Sequence, residues 1–153
     1  MSEKTQLVEE LQKIYEGDAW HADNLRKILS DISADKAFAR PIAEAHGIWE
    51  IVLHVAAWNE TWSERLSGNL RLEPIDGDFP KIAERDEQAW QKTLQRLKAS
   101  QENLIEVVRA LNEESLPKQF ADRDYSLSSF LHGIVRHIVY HSGQIAILKK
   151  ASR

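Results

Sequence analysis

Proline placement constrains this chain more than any other feature. Its four prolines, Pro41, Pro74, Pro80 and Pro117, fall into three clusters and leave four long stretches without one. A proline in a helix interior removes a hydrogen bond and clashes with the preceding turn, so these stretches are where long helices can form. Each stretch repeats apolar residues at intervals of three and four, the pattern of a helix with one buried face. The spacing predicts a first helix from Glu3 to Ile32, with Leu7, Leu11, Ile14, Leu25, Ile28 and Ile32 on its stripe. A second runs from His46 to Ser67 through Ile48, Ile51, Val55, Trp58, Trp62 and Leu66. A third runs from Lys81 to Asn112 through Trp90, Leu94, Leu97, Leu104, Val108 and Leu111. The fourth runs from Ser126 to Ala151 through Phe130, Ile134, Ile138, Ile145 and Leu148.

The ends carry suitable chemistry. Pro80 suits the first turn of the third helix, where its missing N–H would have had no partner. Asp124 or Ser126 can cap the fourth helix, and Lys149, Lys150 and Arg153 suit its negative C-terminal end. Strand alternation, internal repeats and low-complexity tracts are absent. The expected fold is all-α, a four-helix bundle occupying residues 1–153 as a single domain. The loops are longer than tight helix turns need and leave the up-and-down order open.

A bundle of this kind should bury apolar residues along every seam, and the exceptions are informative. On the fourth helix the seam reads Phe130, Ile134, His137, His141, Gln144, Leu148. His137 and His141 stand one turn apart on one face, so their imidazoles can reach a common point. His54 borders the buried face of the second helix. Asp18 continues the stripe of the first, with His21 one turn on, and Gln101 interrupts Leu97 and Leu104 in the third. All lie in the middle third of their helices, where a polar layer persists only if its members satisfy one another, bind water or bind a ligand. One reading is a divalent metal held by His54, His137 and His141, with open coordination positions as in catalytic sites. The other is a set of hydrogen-bonded core histidines, and spacing alone leaves both open.

Composition narrows the chemistry. There is no Cys, which excludes a disulfide scaffold, a thiol nucleophile and any thiolate metal site. A formal charge of -4 with all six His neutral argues against a nucleic-acid partner. The polar start Met1-Ser2-Glu3-Lys4 lacks a signal-peptide core, and no apolar run approaches the roughly 18–20 residues of a membrane span. A cytoplasmic protein without membrane contact is the expectation. The segment His137-Ile138-Val139-Tyr140-His141 has no Glu after its first His, so it is not a zincin motif. Hydrolysis would need a carboxylate from elsewhere, Glu50 or Asp18. Glu50, one turn before His54, could also hold that imidazole from behind or simply face solvent.

The run from Tyr125 through His137, His141, Gly143 and Gln144 to Lys150 resembles the last helix of the DinB/YfiT-like superfamily. That helix carries H-x3-H, then a small residue and Gly-Gln-Ile. The segment Ile48-Trp49-Glu50-Ile51-Val52-Leu53-His54 is similar to the same family's W-E-x3-H segment. The two motifs occur in the family's order, and helix number and length match over the whole chain. The resemblance implies a four-helix bundle in which His54, His137 and His141 bind a divalent metal ion with water at open positions. Zinc or nickel is expected ahead of iron or manganese. It also implies a small-molecule substrate and a homodimer. Family members include thiol S-transferases using bacillithiol or related low-molecular-weight thiols, a mycothiol-dependent maleylpyruvate isomerase, and proteins described as metal-dependent hydrolases. The family name records induction by DNA damage and implies no DNA chemistry.

The leading expectation is thus a metal-dependent enzyme, a thiol S-transferase first and a hydrolase second, against a non-catalytic metal- or ligand-binding bundle. Glu50 and Asp18 are the carboxylates assigned to catalysis. Gln144 can orient a ligand or make a helix-packing hydrogen bond, and His132 is expected to face solvent. Trp49, Trp58 and Trp62 are expected to pack the core or line the pocket mouth, with a dimer face as the alternative.

Overall fold

Short polar residues start three of the four long helices. In the computed structural model, which describes residues 1–152, the Ser2 hydroxyl accepts from the Thr5 amide at the head of α1, Glu3–Glu16. The Asp86 carboxylate accepts from the Ala89 amide to start α5, Glu87–Ala110, and the Ser126 hydroxyl accepts from the Ser129 amide to start α6, Leu127–Ala151. Helix α4, Ile48–Leu66, begins after Gly47, whose N–H donates to the Glu50 carboxylate at 2.7 Å. Such caps satisfy amides that have no partner within the helix. Two short helices, α2 at Leu25–Leu29 and α3 at Ala34–Phe38, fill the connection between α1 and α4.

The four long helices form a ring in the order α1, α5, α4, α6, with α4 against α5 the most extensive of the interfaces. Cross-helix contacts fix the directions. Lys4 Nζ donates to the Leu111 carbonyl, so α1 and α5 run in opposite senses. The Ser128 hydroxyl donates to Glu3, so α1 and α6 run alike. Trp49 meets Thr93 and Asn59 meets Gln101, so α4 and α5 run alike. The order is therefore up, down, down, up. Parallel α4 and α5 require the chain after Leu66 to climb back along the whole of α4, a helix about 28 Å long at 1.5 Å per residue. Residues 67–86 make that climb. Along it Arg71 meets Glu64, Asp78 meets Trp58 and Phe79 stacks on His46.

The bundle interior is apolar with tethered polar exceptions. Trp49 and Trp90 are fully buried with ring centroids 5.1 Å apart. Each indole N–H is satisfied, Trp49 by the Thr93 hydroxyl and Trp90 by the Ile32 carbonyl. Gln101 donates to the Leu11 carbonyl and accepts from Asn59 Nδ2, each at 3.0 Å, joining α1, α5 and α4 through one buried amide. The expected polar residue of the third stripe is thus a structural tie.

The expected boundaries hold for α4 and α6 and fail for the other two. The first helix ends at Glu16, because Gly17 takes an extended conformation there and the chain turns through residues 18–24. Asn24 then caps α2 and also donates to the Gly17 carbonyl. The apolar spacing across this turn continues only because α2 returns Leu25 and Ile28 to the same core. The third helix starts six residues later than expected, at Glu87 rather than Lys81, and Pro80 lies in the crossover outside any helix. Among the described residues no helix is long and apolar enough to cross a membrane.

Candidate metal centre

Antiparallel packing of α4 on α6 brings three imidazoles together. One ring nitrogen each from His54, His137 and His141 lies within 4.8 Å of the others. His54 and His141 are buried, at 6% and 8% exposure, and His137 is partly buried. The His54 and His137 Nε2 atoms stand 3.0 Å apart. Two imidazole nitrogens bound to one ion at 2.0–2.1 Å lie about 2.9–3.4 Å apart as their angle opens from square to tetrahedral.

The outer nitrogens decide what the inner ones can do. His54 Nδ1 lies 2.7 Å from the Asp78 carbonyl oxygen, an acceptor only, so Nδ1 carries the proton and Nε2 presents its lone pair inward. His141 Nδ1 lies 2.6 Å from Gln144 Oε1 and is fixed in the same tautomer. This is the arrangement by which metal-bound imidazoles are oriented. His137 differs: its Nδ1 is buried without a partner. If His137 Nε2 donated its proton to His54, that Nδ1 would be a buried lone pair with nothing to accept from; if Nδ1 kept the proton, two lone pairs would face each other at 3.0 Å. A cation between the rings removes the second conflict, and the three donors suit one.

Electrostatics agrees. Burial pushes the His137 pKa down to about 3, aided by its neighbours His141 and His54. Burial also lowers His141, with the Gln144 hydrogen bond opposing and His54 assisting. Both rings are held neutral at physiological pH, the form a ligand needs. Aromatic rings close the surroundings. Trp62 sets its edge against His137 at 4.8 Å, and Phe79 stacks on His54 at 4.3 Å and on His46 at 3.6 Å. Trp58 donates to the Asp78 carboxylate at 2.7 Å, which anchors the crossover beside His54.

The two carboxylates expected to serve catalysis stand elsewhere. Asp18 is exposed in the turn after α1, beside Trp20 and His21 in a depression that none of the three histidines lines. Its place on the apolar stripe was lost when the helix ended at Glu16. Glu50 accepts from Arg40 at 2.5 and 3.1 Å, from the Gly47 amide at 2.7 Å, and lies 3.3 Å from His46 Nδ1. Burial alone would raise its pKa, but these donors outweigh burial and hold it below the usual range. It caps α4 and pairs with Arg40 instead of supporting His54. The support comes from Asp78, through a main-chain carbonyl that no residue pattern announces. Gln144 orients a ligand candidate, the role set beside helix packing. His132 contacts Glu3 instead of standing free in solvent. Trp49 packs the core, while Trp58 and Trp62 flank the histidines.

Comparison with known proteins agrees with this architecture. The family model for the DinB superfamily matches residues 18–145, from the turn after α1 into the last third of α6. No curated protein and no solved structure matches the chain. The match spans both histidine-bearing helices and the crossover that supports them, and the chain belongs to the DinB superfamily.

Proposed function

We propose that the protein binds a divalent metal ion through His54, His137 and His141 and uses it in thiol S-transfer. The observation that carries the metal site is the convergence of three imidazoles, two of them locked in the ligating tautomer by Asp78 and Gln144. A divalent ion supplies Lewis acidity at its open positions, lowering the pKa of a thiol or water bound there. The chain's own contribution is positional. Asp78 and Gln144 hold the rings of His54 and His141, Trp62 and Phe79 restrict water around the cluster, and burial keeps His137 and His141 unprotonated. Zinc and nickel suit three imidazoles best, with iron and manganese next.

Thiol transfer is favoured over hydrolysis by the fate of the carboxylates. Water attack calls for a general base, and Glu50 is consumed by Arg40 and the α4 cap while Asp18 lies outside the centre. An external thiolate needs none: its sulfur bonds to an electrophilic carbon and the leaving group departs with its electron pair. The substrate class is accordingly a small electrophile with a low-molecular-weight thiol. The family resemblance supports a cytoplasmic homodimer, which light scattering tests.

The experiment is metal analysis of untagged protein, followed by assay with 1-chloro-2,4-dinitrobenzene with and without glutathione, cysteine or bacillithiol. Stoichiometric metal that disappears in the His137→Ala/His141→Ala double variant is expected, with product that requires metal and thiol together. Metal retained by the double variant would refute the ligand set. Turnover without thiol would move the assignment to hydrolysis, and metal without turnover to a binding bundle.

A further inference from the structure

A cleft of about 600 Å3, a volume suited to a small organic molecule, borders the centre. His141 belongs to both, so the cleft reaches the ligand set directly. Its walls are apolar: Ile42, Ile51, Phe79, Ile147 and Leu148. Ile42 and Ile147 are 46% and 63% exposed, so aliphatic surface stands wet beside a polar centre. The charge pattern is one-sided. Among the described residues Glu44 lines the cleft, and no Lys or Arg does. The nearby basic groups, Arg40 and Lys81, line a separate cleft that shares only Phe79 with this one, and Arg40 is already paired with Glu50.

From this we infer that the cleft is a substrate subsite for an uncharged or cationic apolar body, a short alkyl chain or a single aromatic ring, whose reactive head lies at the metal. An anionic tail is rejected there, because Glu44 repels it and no Lys or Arg among the described residues lines the wall to compensate. The inference rests on the three-histidine metal reading and adds the chemical class of what that centre acts on. Glu44 is its specificity-determining residue, and Ile147 sets how much chain it covers.

Hydroxamates test it, since their head group binds an open metal position and their tail can be varied. Binding of acetohydroxamate, hexanohydroxamate and adipic monohydroxamate to cobalt-loaded protein is measured by calorimetry and by the cobalt absorption spectrum. Burying each methylene is worth roughly a fourfold gain, so hexanohydroxamate should bind on the order of a hundredfold more tightly than acetohydroxamate. Adipic monohydroxamate, with a carboxylate in place of the terminal methyl, should lose at least about tenfold of that gain. Ile147→Glu should shrink the chain-length gain to less than about tenfold without changing cobalt stoichiometry. Glu44→Lys should restore adipic monohydroxamate to within a few fold of hexanohydroxamate. Hydroxamate binding with no dependence on chain length, or equal binding of the charged and uncharged tails, overturns the subsite and leaves the metal centre standing. Failure of the protein to bind cobalt overturns the metal reading and the subsite with it, whereas cobalt-loaded protein that binds no hydroxamate overturns the subsite alone.

Discussion

Acidifying the metal-free protein should cost stability in a pH window set by the buried imidazoles. Burial pushes His137 down to about 3 in the folded state, against an ordinary value of 6.5. The unfolded chain therefore takes up the proton first, so stability is intact above pH 6.5 and is lost as pH falls from 6.5 toward 3. Each pH unit inside that window is worth about 1.4 kcal/mol for one group. At pH 5, His137 alone removes roughly 2 kcal/mol, and His141, lowered by the same burial, adds in the same direction. With a urea slope of about 2 kcal/mol per molar, the midpoint should fall by about 1 M between pH 7 and pH 5. The carboxylates with lowered pKa do not confuse this reading. Hydrogen bonding to Ser128 and Arg40 respectively helps hold Glu3 and Glu50 below 4.5, so their contribution is present above 4.5 and is lost only at lower pH. The assay is urea denaturation in EDTA at pH 7, 6 and 5, for the natural sequence and for His137→Gln. The variant should show a clearly flatter dependence. A flat midpoint in the natural sequence, or an unchanged slope in His137→Gln, refutes the argument that desolvation holds this ring neutral.

Other expectations are as direct. Gln144→Leu removes the acceptor for His141 Nδ1, and should weaken metal binding about 10- to 100-fold in a cobalt titration with little change in unfolding midpoint. Gly77 has φ of +92° and immediately precedes the carbonyl that orients His54. Gly77→Ala should cost about 1–2 kcal/mol in denaturation and also weaken cobalt binding. Gln101→Leu strands the buried Asn59 amide and should cost roughly 2–3 kcal/mol, while Asn59→Leu/Gln101→Leu should recover much of that in a double-mutant cycle.

The sequence made the histidine-bearing helices legible and left their support obscure. Helices α4 and α6 carry dense apolar periodicity and clear ends, Gly47 with Glu50 at one and Ser126 at the other, so the placement of His54, His137 and His141 could be read directly. Asp18 was misplaced because apolar spacing survives a break when the next short helix returns to the same core. Pro80 was misplaced because a proline suited to a first turn is equally suited to an extended crossover. Asp78 could not be found at all. It acts on His54 through its main chain, and it comes within reach only because α4 and α5 run parallel. That direction is set by tertiary packing of Trp49, Thr93, Asn59 and Gln101, which no local pattern reports.

His54 and His137 meet across 83 residues of chain, and this separation bears on how fast the protein comes apart. Bringing such distant segments together carries a large loop-closure cost, and few local contacts anticipate it. The histidine cluster should therefore assemble late, after the rate-limiting barrier to folding. An ion that clamps α4 to α6 then acts almost wholly on the escape rate: saturating metal should slow unfolding by about the full factor by which it stabilises, and leave refolding from urea nearly unchanged. In a protein built this way a bound ion would be a latch on a door that has already closed.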